Sequence, residues 1–449
     1  MRLSVQRPGA LALIAALAFV LRGGVAHAQD PAPPVRIGLT YAPGTKPGVL
    51  VLPVNGDNGD SVRAILQRDL DFGDRVNVIA SESIAMDSMS DGSRGQFNYP
   101  LYSRLGAAAM VQVTATGSGL HVAVHDVRTQ KVERVKDFPL AAAPLSPDWR
   151  QQVHAISDAI ELWLSGVRGI AATRILYSSG GRVWQIDSDG ANALPLTDGS
   201  PPAFYPAWHP KATHVAYAAM TDDGMRVYVK EMGPSGGGAT RPLVARVPAG
   251  SMNNSPTFSP DGETILYAHG QENGTEIFAV PTFGNTAPRR ITVSRGFISV
   301  SPSYSPDGRR IVYASNKAGG LALYVADADG TNAEALTPFN YGDRTQRTDP
   351  SWSPDSRFIA FQAEMDGATQ IYTMRPGENR GAPKQYTNQG RNEDPSRSPD
   401  SRHLVFTTNR SGSWQLWILD IESGRTRQLT RAANGARAGA WSPRLVSHQ

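Results

Sequence analysis

The sequence contains no cysteine, and this absence removes several kinds of chemistry. None of the 449 residues is Cys. Thiol catalysis, disulfide frameworks, Cys-ligated zinc or iron–sulfur sites, and lipid attachment through an N-terminal Cys are therefore excluded. We expect any link to a membrane to run through partner proteins.

Long hydrophobic runs are also scarce, and the clear example lies near the start of the chain. Residues 10–21 form an apolar run of 12 that follows Arg2 and Arg7. Residues 26–28, Ala-His-Ala, then offer small residues for a cleavage site. Because the run is short for a transmembrane helix, we interpret residues 1–28 as a signal peptide. Export without cysteine favours the periplasm, and we expect no direct membrane insertion.

A strong excess of one charge is missing once this segment is set aside. The chain has 44 Lys and Arg against 40 Asp and Glu, a net charge of +4. Residues 1–28 hold three Arg and no acid, which leaves 41 basic and 40 acidic residues and a net charge of +1. No basic stripe interleaved with aromatic residues is present. We therefore expect no nucleic-acid partner.

Glycine and proline, in contrast, are plentiful, at 44 and 33 residues, and they mark a repeat. A motif close to Pro-Ser-Trp-Ser-Pro-Asp-Gly, here called the anchor, recurs in the second half of the chain. Its second Pro stands at positions 210, 260, 306, 354, 399 and 443, in steps of 50, 46, 48, 45 and 44 residues. A four-stranded propeller blade has about this length. Apolar, β-branched runs such as residues 311–314 follow the anchors and predict strands.

The order of anchors and strand runs predicts how the repeat region closes. The first strand run, at Ile175, has no anchor before it, and the last anchor, at Trp441, has no strand run after it. Pairing these two segments completes a sixth blade and removes two open sheet edges. We therefore predict an all-β six-bladed β-propeller over residues 171–449, closed by strands from both ends of the repeat region.

The stretch before the repeats predicts a small α/β domain over residues 45–170. Strands are expected at residues 48–54 and 75–80, with a helix over residues 61–70 between them. A β-hairpin and a further strand follow. A second helix is expected to begin after Ser146, which is a good cap residue.

The candidate catalytic and metal signals are weak. Residues 233–237 fit the Gly-x-Ser-x-Gly nucleophile pattern but lie between two propeller strands, without the strand–turn–helix context of that motif. His121 and His125 share one face of a predicted strand, and no third ligand accompanies them. We therefore predict no catalytic residue, no metal and no cofactor.

The ordered combination of these features resembles the TolB family of the Tol–Pal envelope system. Residues 164–177 read Leu-Ser-Gly-Val-Arg-Gly-Ile-Ala-Ala-Thr-Arg-Ile-Leu-Tyr. This is similar to the family's Leu-Thr-Gly-x-x-Gly-x-Phe-x-Thr-Arg-Ile-Ala-Tyr, and the repeats match as well. The chain departs from the family pattern at Ala171 or Ala172, His209, Lys211 and Arg397.

The resemblance implies a non-enzymatic periplasmic adaptor and a monomer. In the family, the mature N-terminal segment binds the inner-membrane protein TolA, and one propeller face binds the peptidoglycan-associated lipoprotein Pal. The implied roles are outer-membrane integrity and constriction during cell division. Carried over, the extended segment 29–44 would bind a TolA-like protein through Val35, Arg36 and Ile37. The loops before the anchors would bind a Pal-like lipoprotein, and the residues concerned are Met252, Asn253, Asn254, Arg347, Thr348, Asp349, Arg391, Asn392, Glu393 and Asp394.

An enzymatic alternative stays open at this point. Propellers of this repeat type include oligosaccharide lyases such as oligogalacturonate lyase, which would need a His/Gln cluster and a metal on the propeller axis. A prolyl-oligopeptidase-like protease would need a hydrolase domain, and six residues follow Pro443. A stoichiometric transition metal in the purified protein would favour the lyase, and binding to a Pal-like lipoprotein would favour the adaptor.

Overall fold

The computed structural model describes residues 46–80, 97–233, 236–284, 286–337, 345–365, 367–377 and 382–445. The predicted signal peptide and the segment with Val35, Arg36 and Ile37 lie outside these residues, as does Ser235. The described chain is an α/β part followed by a larger β part, which confirms the predicted fold class. None of the described helices combines the length and the hydropathy needed to cross a bilayer.

The α/β domain is a five-stranded sheet with two helices on one face and a short helix on the other. Its strands are β1 (Gly48–Val51), β2 (Asn77–Val78), β3 (Ala107–Thr116), β4 (Gly119–Asp126) and β5 (Lys131–Pro139). Its helices are α1 (Gly59–Gly73), α2 (Tyr99–Arg104) and α3 (Pro147–Ser165). The sheet order is β2-β1-β3-β4-β5, with β1 parallel to both of its neighbours.

Helix α3 begins and ends where its sequence indicates. The Ser146 Oγ accepts a hydrogen bond from the Trp149 backbone N at 3.2 Å, and Pro147 occupies the first turn. Gly166 ends the helix at a φ of 78°, a conformation that favours glycine. The apolar stripes of α1 and α3 pack on the same sheet face, with the buried residues Val62, Ile65, Leu66, Leu70, Val153, Ile156, Ile160 and Leu164.

Helix α2 is absent from the sequence-based prediction, because six residues are too few to show a helical period. The Asn98 side chain caps this helix by accepting from the Leu101 backbone N at 3.1 Å. Tyr102 is fully buried against the sheet. The helix also covers His125, whose Nδ1 lies 2.8 Å from the Tyr99 hydroxyl. His125 is therefore a core residue and not part of an exposed histidine pair.

The β part forms four four-stranded sheets and one eight-stranded sheet. The first sheet holds β6 (Arg174–Ser179), β7 (Arg182–Asp187), β8 (Leu194–Pro195) and the last strand, β29 (Arg437–Trp441). The eight-stranded sheet holds β9 (Ala203–Trp208), β10 (His214–Thr221), β11 (Gly224–Glu231), β12 (Thr240–Pro242), β13 (Ser251–Phe258), β14 (Thr264–Gln271), β15 (Gly274–Pro281) and β16 (Arg289–Arg290).

The remaining three sheets follow the repeat in sequence order. The first of them holds β17 (Ser299–Tyr304), β18 (Arg310–Ser315), β19 (Ala322–Asp327) and β20 (Glu334–Ala335). The second holds β21 (Gln346–Trp352), β22 (Ile359–Met365), β23 (Ala368–Met374) and β24 (Lys384–Gln385). The third holds β25 (Asn392–Arg397), β26 (His403–Thr408), β27 (Gln415–Asp420) and β28 (Thr426–Gln428).

The two ends of the repeat region pair as the sequence predicts. Strands β29 and β6 are antiparallel neighbours, with Trp441 opposite Ile175. The Trp441 Nε1 donates to the Thr173 Oγ1 at 2.8 Å, which fixes the indole beside the first strand. The count of six blades and the closure of the whole ring stay predictions. Both require the pairing of β29 with β6.

The eight-stranded sheet arises because two neighbouring repeats share a short parallel strand pair. Gly224 and Met225 of β11 lie opposite Ser251 and Met252 of β13. A Cβ atom at Gly224 would lie 2.5 Å from the Ser251 carbonyl oxygen, so glycine lets the two backbones approach. The repeat pattern does not predict this link, since it depends on contacts between blades.

The anchors form the predicted turns. In the second anchor the Gly262 backbone N donates to the Ser259 carbonyl at 2.9 Å, and the Ser259 Oγ donates to the Asp261 Oδ1 at 2.5 Å. In the first anchor His209 replaces the Ser, and its Nδ1 accepts from the Lys211 backbone N at 3.2 Å. The imidazole thus bonds within the turn, where the second anchor uses the Ser hydroxyl and the Asp carboxylate.

Candidate functional site

Six residues that directly precede the anchors share one unusual backbone conformation. Their φ angles lie between 50° and 53°, and they are Tyr205, Ser255, Ser301, Asp349, Asp394 and Ala438. Each lies where the pairing of the first two strands of its blade shifts register, which makes it a β-bulge. Non-glycine residues seldom adopt this left-handed conformation. Its recurrence in every repeat shows that the bulges are a regular part of this architecture.

The six bulge residues bring the predicted loops together around one opening. All six line a cavity of about 870 Å³ and also a second cavity of about 380 Å³, so they form the boundary between the two. Asn254, Asp349, Glu393 and Asp394 line the larger cavity together. We call the end of the propeller that carries residues 252–255, 297–301, 345–349 and 391–394 the loop face.

Two of the predicted partner-binding residues lie inside the protein. Asn253 is 2% exposed and its Oδ1 lies 2.5 Å from the His269 Nδ1. Asn392 is fully buried and its Nδ2 donates to the Gln370 Oε1 at 2.7 Å. These side chains hold the loop backbones from within, so any effect of theirs on a partner acts through loop shape. Met252, the residue before Asn253, is 39% exposed.

The loop of residues 345–349 is bonded to its neighbours. The Thr348 Oγ1 accepts from the Gln362 Nε2 at 2.9 Å. The Asp349 Oδ1 accepts from the Ser301 Oγ at 2.7 Å, which ties two loops of the loop face to each other. The Arg347 backbone N donates to a carbonyl of the preceding blade at 2.9 Å. These bonds hold the loop in place at the cavity.

A cluster of charged side chains borders the same cavity, and its members come from β25, β29 and the loop before β25. The Glu393 Oε2 lies 3.1 Å from the Arg437 Nη1, and its Oε1 lies 3.5 Å from the Arg391 Nε. Arg437 also stacks over the Trp414 ring, 3.7 Å from its centre. The group offers both signs of charge and a flat aromatic surface at the cavity mouth.

The surroundings of Asp394 in this cavity raise the pKa of its carboxyl group. Burial raises the pKa of Asp394 to about 7, and the nearby Asp349 acts in the same direction. The Asp394 Oδ2 accepts from the Thr407 Oγ1 at 3.0 Å and from the Ala438 backbone N at 3.2 Å. The ring of bulges therefore carries a carboxyl group that holds its proton more strongly than an exposed aspartate does.

An exposed apolar row crosses the loop face, and the sequence-based prediction missed most of it. Met220 lies opposite Met225, which is buried, and Met225 lies opposite Met252. The pairing continues through Gly270 and Thr275 to Ile298. Met220, Met252 and Ile298 are 38–39% exposed, and Phe297 beside them is 44% exposed. Directly paired residues share one face of a sheet. Only the loop positions of this row were singled out in the sequence, because the rest depends on strand pairing between blades.

The described residues include one cluster of histidine and carboxylates whose polar atoms lie within 4.8 Å of one another. It consists of His154, Asp187 and Asp189 and lies where α3 meets the propeller. The Asp189 Oδ2 is paired with the Arg150 Nη2 at 2.6 Å and also with Arg68. Because guanidinium groups already neutralise this carboxylate, we interpret the cluster as an ion-pair network between the two domains.

Comparison with known proteins places the chain in a family. The family model described as "TolB beta propeller domain" matches residues 162–445. A protein named "Tol-Pal system protein TolB" from Bordetella avium is 28% identical over 295 residues, which cover 63% of this chain and 62% of that protein. A protein of the same name from Actinobacillus succinogenes is 29% identical over 189 residues, 40% of this chain and 44% of that protein. This chain thus spans less than two thirds of the length of both relatives.

A solved structure agrees in fold. The crystal structure of TolB from Acinetobacter baumannii superposes with a TM-score of 0.75 at 23% identity, and the match covers 90% of this chain and 98% of that one. Because the propeller model of the family spans more than half of the sequence, this chain belongs to the TolB β-propeller family.

Proposed function

We propose that this protein is a non-enzymatic periplasmic adaptor of the Tol–Pal system. In this proposal the loop face binds a Pal-like peptidoglycan-associated lipoprotein, and residues 29–44 bind a TolA-like inner-membrane protein. The names of the two relatives support the system. The observation that carries the role of the loop face is the convergence of loops from several blades on one cavity.

The surface chemistry of the loop face supports protein recognition. Met252, Phe297 and Ile298 are exposed on paired strands or their adjoining loop, and exposed apolar groups clustered on one face often mark protein interfaces. Methionine suits such a surface because its side chain is flexible and polarizable. The paired charges of Glu393 and Arg437 border the other side of the cavity. A partner would therefore meet an apolar row on one side and hydrogen-bonding groups on the other.

The lining of the cavities supports an adaptor over a lyase. The lyase alternative needs a His/Gln cluster and a metal on the axis. Among the residues that the structure describes, those lining the two cavities that share the bulge ring include Gln362 but no histidine. His209 is instead bonded within its own anchor, and His269 to Asn253.

Isothermal titration with the soluble domain of the host's own Pal-like lipoprotein tests this function. Wild type should bind, and Met252→Asp should weaken binding about tenfold or more, because burial of a Met side chain contributes roughly 1.5–3 kcal/mol. Val135→Asp is the matched control, since Val135 is 55% exposed on β5 of the other domain. No binding by folded wild type, or equal loss in both variants, would contradict the proposal.

A further inference from the structure

A buried pair of carboxyl groups lies where the α/β domain meets the propeller. Asp158 and Glu161 are one turn apart on α3 and are 4% and 3% exposed. A Cβ atom at Gly73 would lie 2.4 Å from a Glu161 carboxylate oxygen, and one at Gly169 would lie 2.5 Å from the Asp158 Oδ1. Glycine at the end of α1 and in the linker therefore creates the space that the two carboxyl groups fill. We call Asp158, Glu161 and their direct contacts the carboxylate joint.

The carboxylate joint holds the linker that leads into the propeller. The Asp158 Oδ1 accepts from the Ala171 backbone N at 2.7 Å, and the Oδ2 accepts from the Ala172 backbone N at 3.1 Å. The Gly169 backbone N donates to the Asp158 carbonyl at 3.2 Å. Opening of the joint would therefore free these linker amides.

One guanidinium connects the joint to the propeller itself. The Arg75 Nε lies 3.1 Å from the Glu161 Oε1, and the Arg75 Nη2 lies 3.0 Å from the Asp400 Oδ2. Asp400 belongs to the anchor that precedes β26, and its Oδ2 also lies 2.9 Å from the His403 Nδ1. Arg75 thus pairs with one carboxylate of each domain.

The other charges that face the joint have partners of their own. Arg402 of the propeller donates through its Nε to both carboxylate oxygens of Asp420, at 2.9 and 3.0 Å. Arg444 donates to backbone carbonyls of the linker. Asp69 of α1 lies 2.7 Å from the His154 Nδ1. Arg75, which pairs with Glu161 and Asp400, and Arg444, whose charge acts on Asp158, are therefore the cations that face the three carboxyl groups.

The pKa values of the pair are raised mainly by burial, against the pull of Arg75, Arg402 and Arg444. Burial raises the pKa of Glu161 to about 8, and Asp158 and Asp400 act in the same direction against Arg75 and Arg402. Burial raises the pKa of Asp158 to about 6, with Asp69 adding to the effect and the bonds from Ala171 and Ala172 opposing it. Both carboxyl groups thus change charge within a pH range, about 6 to 8, in which many proteins stay folded.

We propose that the carboxylate joint is a pH-sensitive switch of the contact between the α/β domain and the propeller. While Glu161 is uncharged, the linker and Asp400 stay packed on α3. When Glu161 loses its proton to solvent, its charge repels Asp158 and Asp400 and attracts water, and the joint loosens. The proposal concerns the domain contact and does not depend on which partner the loop face binds.

The linkage sets the size of the effect. A carboxyl group with a higher pKa in the closed joint than in the open one favours opening as the pH rises. Between the two pKa values the opening constant should rise about tenfold per pH unit for one such proton. Above about pH 6 the slope comes from Glu161, because Asp158 is then largely ionised in both states.

Hydrogen exchange of the full mature protein tests the switch. Exchange of peptides covering residues 166–173 is followed from pH 5.5 to 8.5 and corrected for the intrinsic rate with an unstructured peptide of the same sequence. We expect the opening constant of the Ala171 and Ala172 amides to rise about tenfold per pH unit between pH 6 and 8. Peptides from β18 and β19 serve as the internal reference and should stay flat. A flat linker profile, or an equal rise in the reference, overturns the proposal without any variant.

Two variants identify the group that titrates. Glu161→Gln mimics the uncharged carboxyl group, so its linker exchange should stay slow and lose its slope above pH 6. Glu133→Gln is the matched control, because Glu133 is exposed on β5, and it should keep the wild-type slope. A wild-type slope in folded Glu161→Gln would overturn the assignment. If that variant does not fold, the His154→Gln profile decides: a slope retained there belongs to Glu161, and a slope lost there overturns the assignment.

Discussion

The Ser301 Oγ donates a hydrogen bond to the Asp349 Oδ1 at 2.7 Å, and both residues are bulges of neighbouring blades. This bond links two loops that belong to different repeats. A change in one loop of the loop face should therefore be felt by the next.

Ser301→Ala tests this coupling between loops. Loss of the hydrogen bond should lower the free energy of unfolding of the propeller by about 1 kcal/mol, since the Asp349 carboxylate then lacks this donor. Urea unfolding monitored by tryptophan fluorescence measures the change. Ser411→Ala is the control, because Ser411 is exposed in the turn between β26 and β27, and an equal loss there would show that the bond has no special weight.

Substitution at Ala438 tests the strain of the bulges. Ala438 has a φ of 52°, where a non-glycine residue is disfavoured by roughly 1 kcal/mol. Ala438→Gly should therefore raise or preserve the free energy of unfolding in urea. Ala335→Gly in strand β20 should lower that free energy by about 0.5–1 kcal/mol. Equal losses in both variants would contradict the assigned backbone conformation.

His154 predicts a pH dependence of stability. Burial alone lowers the pKa of His154, but the charges of Asp69 and Asp189 outweigh burial and raise it to about 10. A histidine with a raised pKa contributes its full stabilisation below about pH 6.5 and loses it as the pH rises towards 10. Wild type should lose stability over this interval, and His154→Gln should start about 3 kcal/mol lower and change less.

Urea unfolding at pH 6.5, 8 and 10 measures this difference. His121→Gln is the control, because the His121 side chain is 44% exposed. Parallel pH profiles for wild type and His154→Gln would show that the imidazole carries no charge in the domain interface.

The N-terminal segment predicts a separable partner contact. Deletion of residues 30–41 should abolish binding to the TolA-like partner while binding to the Pal-like lipoprotein and the far-UV circular dichroism spectrum persist. Surface plasmon resonance with each partner measures the two affinities. Retained binding to the TolA-like partner would move that site elsewhere on the chain.

The sequence predicted those elements whose signals are local. The Ser146 cap defined the start of α3, and the Ser-Pro-Asp anchors defined the turns before the strands. The pairing of Trp441 with Ile175 was predictable because an unpaired strand at each end is unfavourable. Each of these predictions needs only a short window of sequence or a rule on sheet edges.

The rest depends on contacts between distant segments. The row from Met220 to Ile298 exists because β11 pairs with β13, which no single repeat encodes. Asn253 and Asn392 look like exposed loop residues in the sequence, yet each is buried by its neighbours. Arg397, at an aromatic position of the family pattern, lies over the Phe358 ring at 5.8 Å, so the guanidinium occupies the place of an aromatic group.

The most direct test of the account is the hydrogen-exchange footprint of the Pal-like lipoprotein on the mature protein. Saturating amounts of the soluble lipoprotein domain should slow exchange in peptides covering residues 250–255, 297–301 and 391–394. Peptides from β5 in the α/β domain should exchange at the same rate with and without the partner. Protection confined to the α/β domain, or no protection with both proteins folded, would contradict the assignment of the loop face.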